Sequence, residues 1–133
     1  MLSNAETMLL AMTVLVTGGP AFAGNPVEGL LAGYRSAGAG DFSAPRGQAM
    51  WSEVRGGGTA ESCAACHTDD PTEPGRHVKT GKPITPLAPS VKPERLTDAS
   101  TTEKWFARNC KGTWGRACTV QEKGDFLLYL STK

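Results

Sequence analysis

Two cysteines three positions apart, with a histidine directly after the second, stand at Cys63-Ala64-Ala65-Cys66-His67. One helical turn then carries two thiols and an imidazole. Each thiol can add across a vinyl group of a porphyrin while the imidazole reaches the iron on the same side, which is the chemistry of c-type haem attachment. The spacing predicts one covalent haem c held by Cys63 and Cys66, with His67 as proximal iron ligand. Two other chemistries use cysteine pairs. A thioredoxin-like dithiol needs a βαβ context and makes no demand on a following histidine. A zinc site would need Cys110 and Cys118 to complete four thiolates, and the seven residues between those two match the close pairs of structural zinc sites poorly.

Cys110 and Cys118 are the remaining cysteines. In an oxidising compartment, two such cysteines around a loop with Gly112 and Gly115 are most simply a disulfide, with two buried free thiols as the alternative. What the iron does turns on its sixth ligand. A firmly held Met or His makes an electron carrier, whereas a weak or absent ligand opens the iron to gases or peroxide. No methionine follows His67. Met1, Met8 and Met12 lie in the leader segment described below, and Met50 falls on an apolar helix face where packing is its ordinary role. His77 is the other histidine of the chain's two and sits in a loop. Lysine ligation would take a well-hydrated charge out of water. Asn109, by itself, reads as a helix C-cap.

Four helices are predicted to position these groups. Asn25-Pro26-Val27-Glu28 joins an N-cap, a proline at the first helical position and an acid at N3, and Val27, Leu30, Leu31 and Tyr34 follow on one face. Ser43 caps a short helix to about Val54, burying Met50, Trp51 and Val54, and Gly56, Gly57 and Gly58 end it. From Thr68 to Pro93 the chain has six prolines and no sustained period, so it predicts an extended loop, poorly ordered without a cofactor to wrap. Capping boxes at Ser100 with Glu103 and at Thr119 with Glu122 predict helices near 101–109 and 120–131. In the last of these Val120, Leu127, Leu128 and Leu130 face a core, and Gly124 would let another helix approach closely. No strand-like alternation persists, so the fold class is all-α.

The chain has 133 residues, enough for one domain. Residues 1–23 read as an export signal: the apolar stretch Met8 to Val16, then Ala21-Phe22-Ala23 as a cleavage site before Gly24. The usual positive start is missing, since the first seven residues hold Glu6 and no Lys or Arg. Residues 24–133 then form the exported, soluble, periplasmic domain. It carries all 14 Lys and Arg and 12 of the 13 acids, a charge of +2 that two haem propionates would neutralise. No basic block or aromatic-interleaved basic stripe marks a nucleic-acid surface.

The segments NPVEGLLAGY, TGKPITPLAPSVKPERLTD, EKWFARNC, GRACT and EKGDFLLYL resemble the oxygen-binding high-spin cytochromes c known as sphaeroides haem protein. The resemblance spans nearly all of residues 24–133 and includes the Cys110 to Cys118 spacing. It implies a class I cytochrome c-like single domain around one haem, with a long Pro-rich loop. It also implies that Asn109, just before Cys110, is a weak distal iron ligand released on reduction. A neutral amide oxygen is a poor ligand to haem iron, and its NH2 group could donate to a bound gas. Trp105 and Phe106, four and three residues before Asn109, would wall the distal pocket. Arg76, Lys79, Lys82 and Arg116 are candidate propionate contacts, Lys82 foremost, and Trp114 a candidate shield. The resemblance further implies O2, NO or peroxide as ligands. A dihaem cytochrome c and a membrane b-type cytochrome would be the redox partners.

Overall fold

The computed structural model describes residues 24–58 and 61–133, and the expected export signal lies outside the described residues. The elements run α1 (Pro26–Ser36), α2 (Ala44–Ser52), α3 (Ala64–His67), β1 (Gly75–Arg76), β2 (Pro83–Ile84), α4 (Ala99–Trp114) and α5 (Val120–Ser131). The fold is thus helical, with one small antiparallel pair in which Gly75 faces Ile84 and Arg76 faces Pro83.

Local chemistry sets most of the helix starts. Asn25 accepts from Val27 N and Ser43 from Arg46 N, each with proline in the first turn. Thr119 and Glu122 form the reciprocal capping box at α5. At α4 the expected box is corrected: Asp98, two residues before Ser100, is the N-cap and accepts from Thr101 N. Glu103 is drawn away from the helix start by Tyr34 of α1, which donates to it, and by Lys123 of α5 at 2.7 Å. α4 also runs past residue 109 to Trp114, where Gly115 caps it with φ 70. Asn109 is therefore in a helix interior and is not a C-cap.

α5 is the central post. Leu127 is fully buried against Val27, Leu31 and Tyr34 of α1, and Phe126 and Tyr129 pack with Met50 and Trp51 of α2. Asp125, 2% exposed, accepts from Ser43 N, from Arg46 Nε and Nη2, and from Gln121 Nε2, so a buried carboxylate is fully paired where α2 crosses α5. The close helix approach occurs at Gly47 of α2, where an added Cβ would lie 2.2 Å from Asp125 O. At Gly124, where a helix was expected, the Phe42 ring fills the space. Val54 is corrected too: α2 stops at Ser52, Glu53 turns extended to pair with Arg55, and Val54 is left 66% exposed.

The proline-rich stretch is tied together by its own backbone. Pro71 is buried, and its carbonyl accepts from Leu87 N and Ala88 N, closing a loop around the β1–β2 hairpin. The Gly56–Gly58 run does not end α2, which stops at Ser52 with Glu53 as its extended C-cap. A Cβ on Gly58 would meet Gly112 O at 2.1 Å, so this chain segment lies main chain to main chain on the end of α4.

Candidate functional site

α3 is a single turn whose N-terminus is helped by Ser62, whose hydroxyl accepts from Ala65 N. Cys63, Cys66 and His67 all border one cavity of about 990 Å³, walled further by the hairpin, α4 and α5. That is the upper end of the range for cofactor sites. Trp51 packs against His67: its ring lies 5.6 Å from the His67 ring, and its Nε1 donates to Thr68 O at 2.7 Å. Thr68 adopts φ 63, a left-handed conformation that a β-branched residue keeps only when its surroundings enforce it. It turns the chain sharply after His67, and its hydroxyl donates to Asp70 O. From the other side, Gly75 lets β1 press on α3, since a Cβ there would sit 2.1 Å from Cys66 O.

The electrostatics favour neutral groups at this turn. Burial, aided by the positive charge of Arg95, drives the His67 pKa down to about 4, which keeps a ring nitrogen free to bind metal. Burial, aided by Cys66, pushes the Cys63 thiol up to about 11. A redox-active dithiol needs the opposite shift. Cys110 and Cys118 are joined in a disulfide with Cα atoms 5.6 Å apart, so they offer no thiolates to zinc. The two free thiols and the imidazole of one turn, facing a large cavity with aromatic walls, fit a covalently attached haem.

Trp105, Phe106 and Asn109 all border the same cavity, from α4. Phe106 lies 6.5 Å from the Phe126 ring, and the Arg95 guanidinium stands 5.2 Å over Trp105. Met50 is buried in the core and does not border the cavity. His77 does, with its Nδ1 accepting from Lys79 N and Thr80 N in the hairpin turn. The structure does not bring Lys82 to the cavity. It lies exposed in the hairpin turn, where its carbonyl accepts from His77 N. Arg76, Lys79 and Arg116 are likewise elsewhere, Arg76 on Gly81 O and Arg116 on Glu122.

The cations that do border it are Lys92, Arg95 and Arg108. Arg95 is half-buried and anchored to Pro86 O and to Thr85 Oγ1, the latter at 2.6 Å. Leu96 beside it has φ 60 and also faces the cavity. Nothing local distinguishes Arg95 from the other cations in the sequence, because its place depends on the loop closing through Pro71.

A small helical domain with CAACH on a cavity of this size defines a c-type cytochrome. The comparisons give its kind. Residues 37–130 match the family described as Domain of unknown function (DUF1924). The chain is 43% identical over 122 residues to cytochrome c-type protein SHP of Cereibacter sphaeroides, covering 89% of this chain and 93% of that protein. The structure of oxidized SHP, described as an oxygen binding cytochrome c, matches with a TM-score of 0.76 at 42% identity, over 80% of this chain and 96% of that one. Cytochrome c'' of Methylophilus methylotrophus matches in its oxidized crystal structure with a TM-score of 0.67 at 33% identity, over 81% and 94%. The chain belongs to the SHP-type cytochromes c, a family of class I-like folds with one covalent haem c.

Proposed function

We propose that this protein is a periplasmic monohaem cytochrome c that accepts electrons and binds small diatomic molecules, with Asn109 as a weak, displaceable sixth ligand. The observation that carries this reading is the donor set of the cavity. Besides the CAACH turn, its wall among the described residues includes the Asn109 amide, His77 and Lys92 and no methionine. When bound, the haem supplies a reducible iron that takes dioxygen or nitric oxide in its ferrous form.

Cys63 and Cys66 hold the group covalently, and His67 gives it a neutral ring nitrogen. Arg95, anchored at Thr85 and Pro86 and lining the cavity, supplies a fixed cation for its carboxylates. Asn109 offers an uncharged oxygen, which a gas displaces more readily than it would a thioether, and a NH2 donor for the ligand that replaces it. Trp105 and Phe106 keep water from that side. The sphaeroides relative's description as oxygen binding supports the gas-binding part. The Cys110–Cys118 disulfide suits an oxidising compartment, and no helix among the described residues is long and apolar enough to cross a membrane. Electron supply by a dihaem cytochrome c or a membrane b-type cytochrome, and nitric oxide or peroxide as further ligands, belong to the same proposal.

Absorption spectra of the matured holoprotein test it, ferric and then reduced, with and without carbon monoxide. A high-spin ferrous spectrum that shifts at once with gas is expected, and Asn109→Ala should alter the ferric spectrum while leaving ferrous gas binding intact. A low-spin ferrous spectrum indifferent to gas would sink the proposal and leave a simple electron carrier. His77, already on the cavity wall, would then be its leading candidate for a permanent ligand.

A further inference from the structure

Trp114 carries a donor that the fold leaves unmet. The residue is 6% exposed, and its Nε1 is buried with no acceptor among the described residues, which is costly for a polar group taken out of water. Reorienting the ring is blocked. Arg55 stacks 4.1 Å from its centroid and Arg116 5.4 Å, both guanidinium groups bonded to Glu122, and the Phe126 ring lies 5.5 Å away. Beside the indole is a second, small cavity of about 10 Å³, bounded by Asn109, Thr113, Phe126 and the Cys110–Cys118 bridge as well as by Trp114. It has room for one water-sized group. Asn109 and Thr113 are the polar side chains on its wall that also border the large cavity, and the Asn109 amide lies one rotatable bond further out than the Thr113 hydroxyl.

We infer that Trp114 is a positioning residue for gas binding: the small cavity receives the Oδ1 of the displaced Asn109 amide, which there accepts a hydrogen bond from Trp114 Nε1. This rests on Asn109 being the displaceable ligand proposed above. Asn109 then has two positions, one in each cavity, and the indole N–H stabilises the one that leaves the large cavity open. The exchange moves no proton and no electron. It swaps one acceptor role of the amide oxygen for another.

Ultraviolet resonance Raman of the holoprotein reads the hydrogen bonding of an indole N–H, with Trp114→Phe assigning its share of the three-tryptophan signal. The expected result is a weakly bonded Trp114 indole in the ferric protein and a bonded one in the ferrous carbon monoxide complex, with the difference abolished in Asn109→Ala. Trp114→Phe, which keeps an aromatic ring and removes the N–H, should lower carbon monoxide affinity roughly 2–10-fold, the worth of one ordinary hydrogen bond. An indole bonded equally in both states, as to a fixed water, would overturn the inference. So would a difference that survives Asn109→Ala, which would assign the acceptor to Thr113. If Trp114→Phe fails to fold, Trp51→Phe and Trp105→Phe assign the Trp114 signal by difference. A ferric absorption spectrum unchanged by Asn109→Ala would instead defeat the ligand assignment itself, so the two failures are distinguishable.

Discussion

Replacing Gly75 with alanine asks how far the wrapping loop sets the position of His67. A Cβ at residue 75 would lie 2.1 Å from Cys66 O and 2.9 Å from His67 Cα. Carbon–oxygen contacts become comfortable only at roughly 3.3–3.6 Å, so β1 and α3 must part by more than about 1 Å. Both obstacles are main chain, and no rotamer change relieves them. Overpacking of this sort costs about 1–3 kcal/mol. With a urea dependence of about 2 kcal/mol per molar, a 2 kcal/mol loss lowers the unfolding midpoint by about 1 M. The same displacement moves the turn that carries His67, so the iron–histidine stretching frequency of the ferrous protein should fall. Gly33→Ala is the control, since a Cβ there meets nothing within 4 Å on the exposed side of α1. It should be neutral or stabilising by up to about 1 kcal/mol. A Gly75→Ala protein with the midpoint and the stretching frequency of the wild type would refute the idea that the loop braces the proximal turn.

Other consequences are as open to measurement. Cys110→Ser with Cys118→Ser removes a bridge of sequence separation 8 and should cost roughly 2–3 kcal/mol in denaturant unfolding, on chain-entropy grounds. Glu122 is held down to about 2, first by its hydrogen bonds to Arg116 and then by Thr119 and Arg55. Its folded pKa lies below the unfolded value, so its stabilisation is full above about pH 4.5 and is lost as pH falls toward 2. Glu122→Gln should flatten the stability profile within that window and nowhere above it, which a series of melts between pH 2 and 7 would show.

Much of the site was legible because its chemistry is local. CAACH places three groups on one turn, and the spacing of Trp105, Phe106 and Asn109 on one helix face survives to the cavity wall. Capping residues likewise located α1, α2 and α5, since a cap acts within four residues of itself. The errors arose where distant partners compete. Glu103 could have closed a capping box but is taken by Tyr34 and Lys123, so α4 begins at an earlier cap. Gly115 was within sight as a helix end, yet Asn109 drew the boundary forward because both residue types tolerate the left-handed turn. Arg95, one of the three cations beside the cavity, was missed for a geometric reason: it reaches the wall only through a loop folded back on Pro71. The roles of Trp51 on His67 and of Trp114 beside Asn109 need a chain path that no period or motif encodes.

The position of Asn109 inside α4, one residue before a disulfide that ties the helix to its neighbour, bears on time. At a helix end the amide could be released by fraying, a motion shared with a whole turn of backbone. Here Cys110 is bridged to Cys118 and the helix continues to Trp114, so the main chain at residue 109 is held. Only the two side-chain torsions remain free, and such flips run in picoseconds to nanoseconds, far faster than local unfolding. On the proposal that Asn109 ligates the iron, release of its amide needs no unfolding of α4, so its rate is set by the bond to the iron and by those torsions rather than by helix fraying.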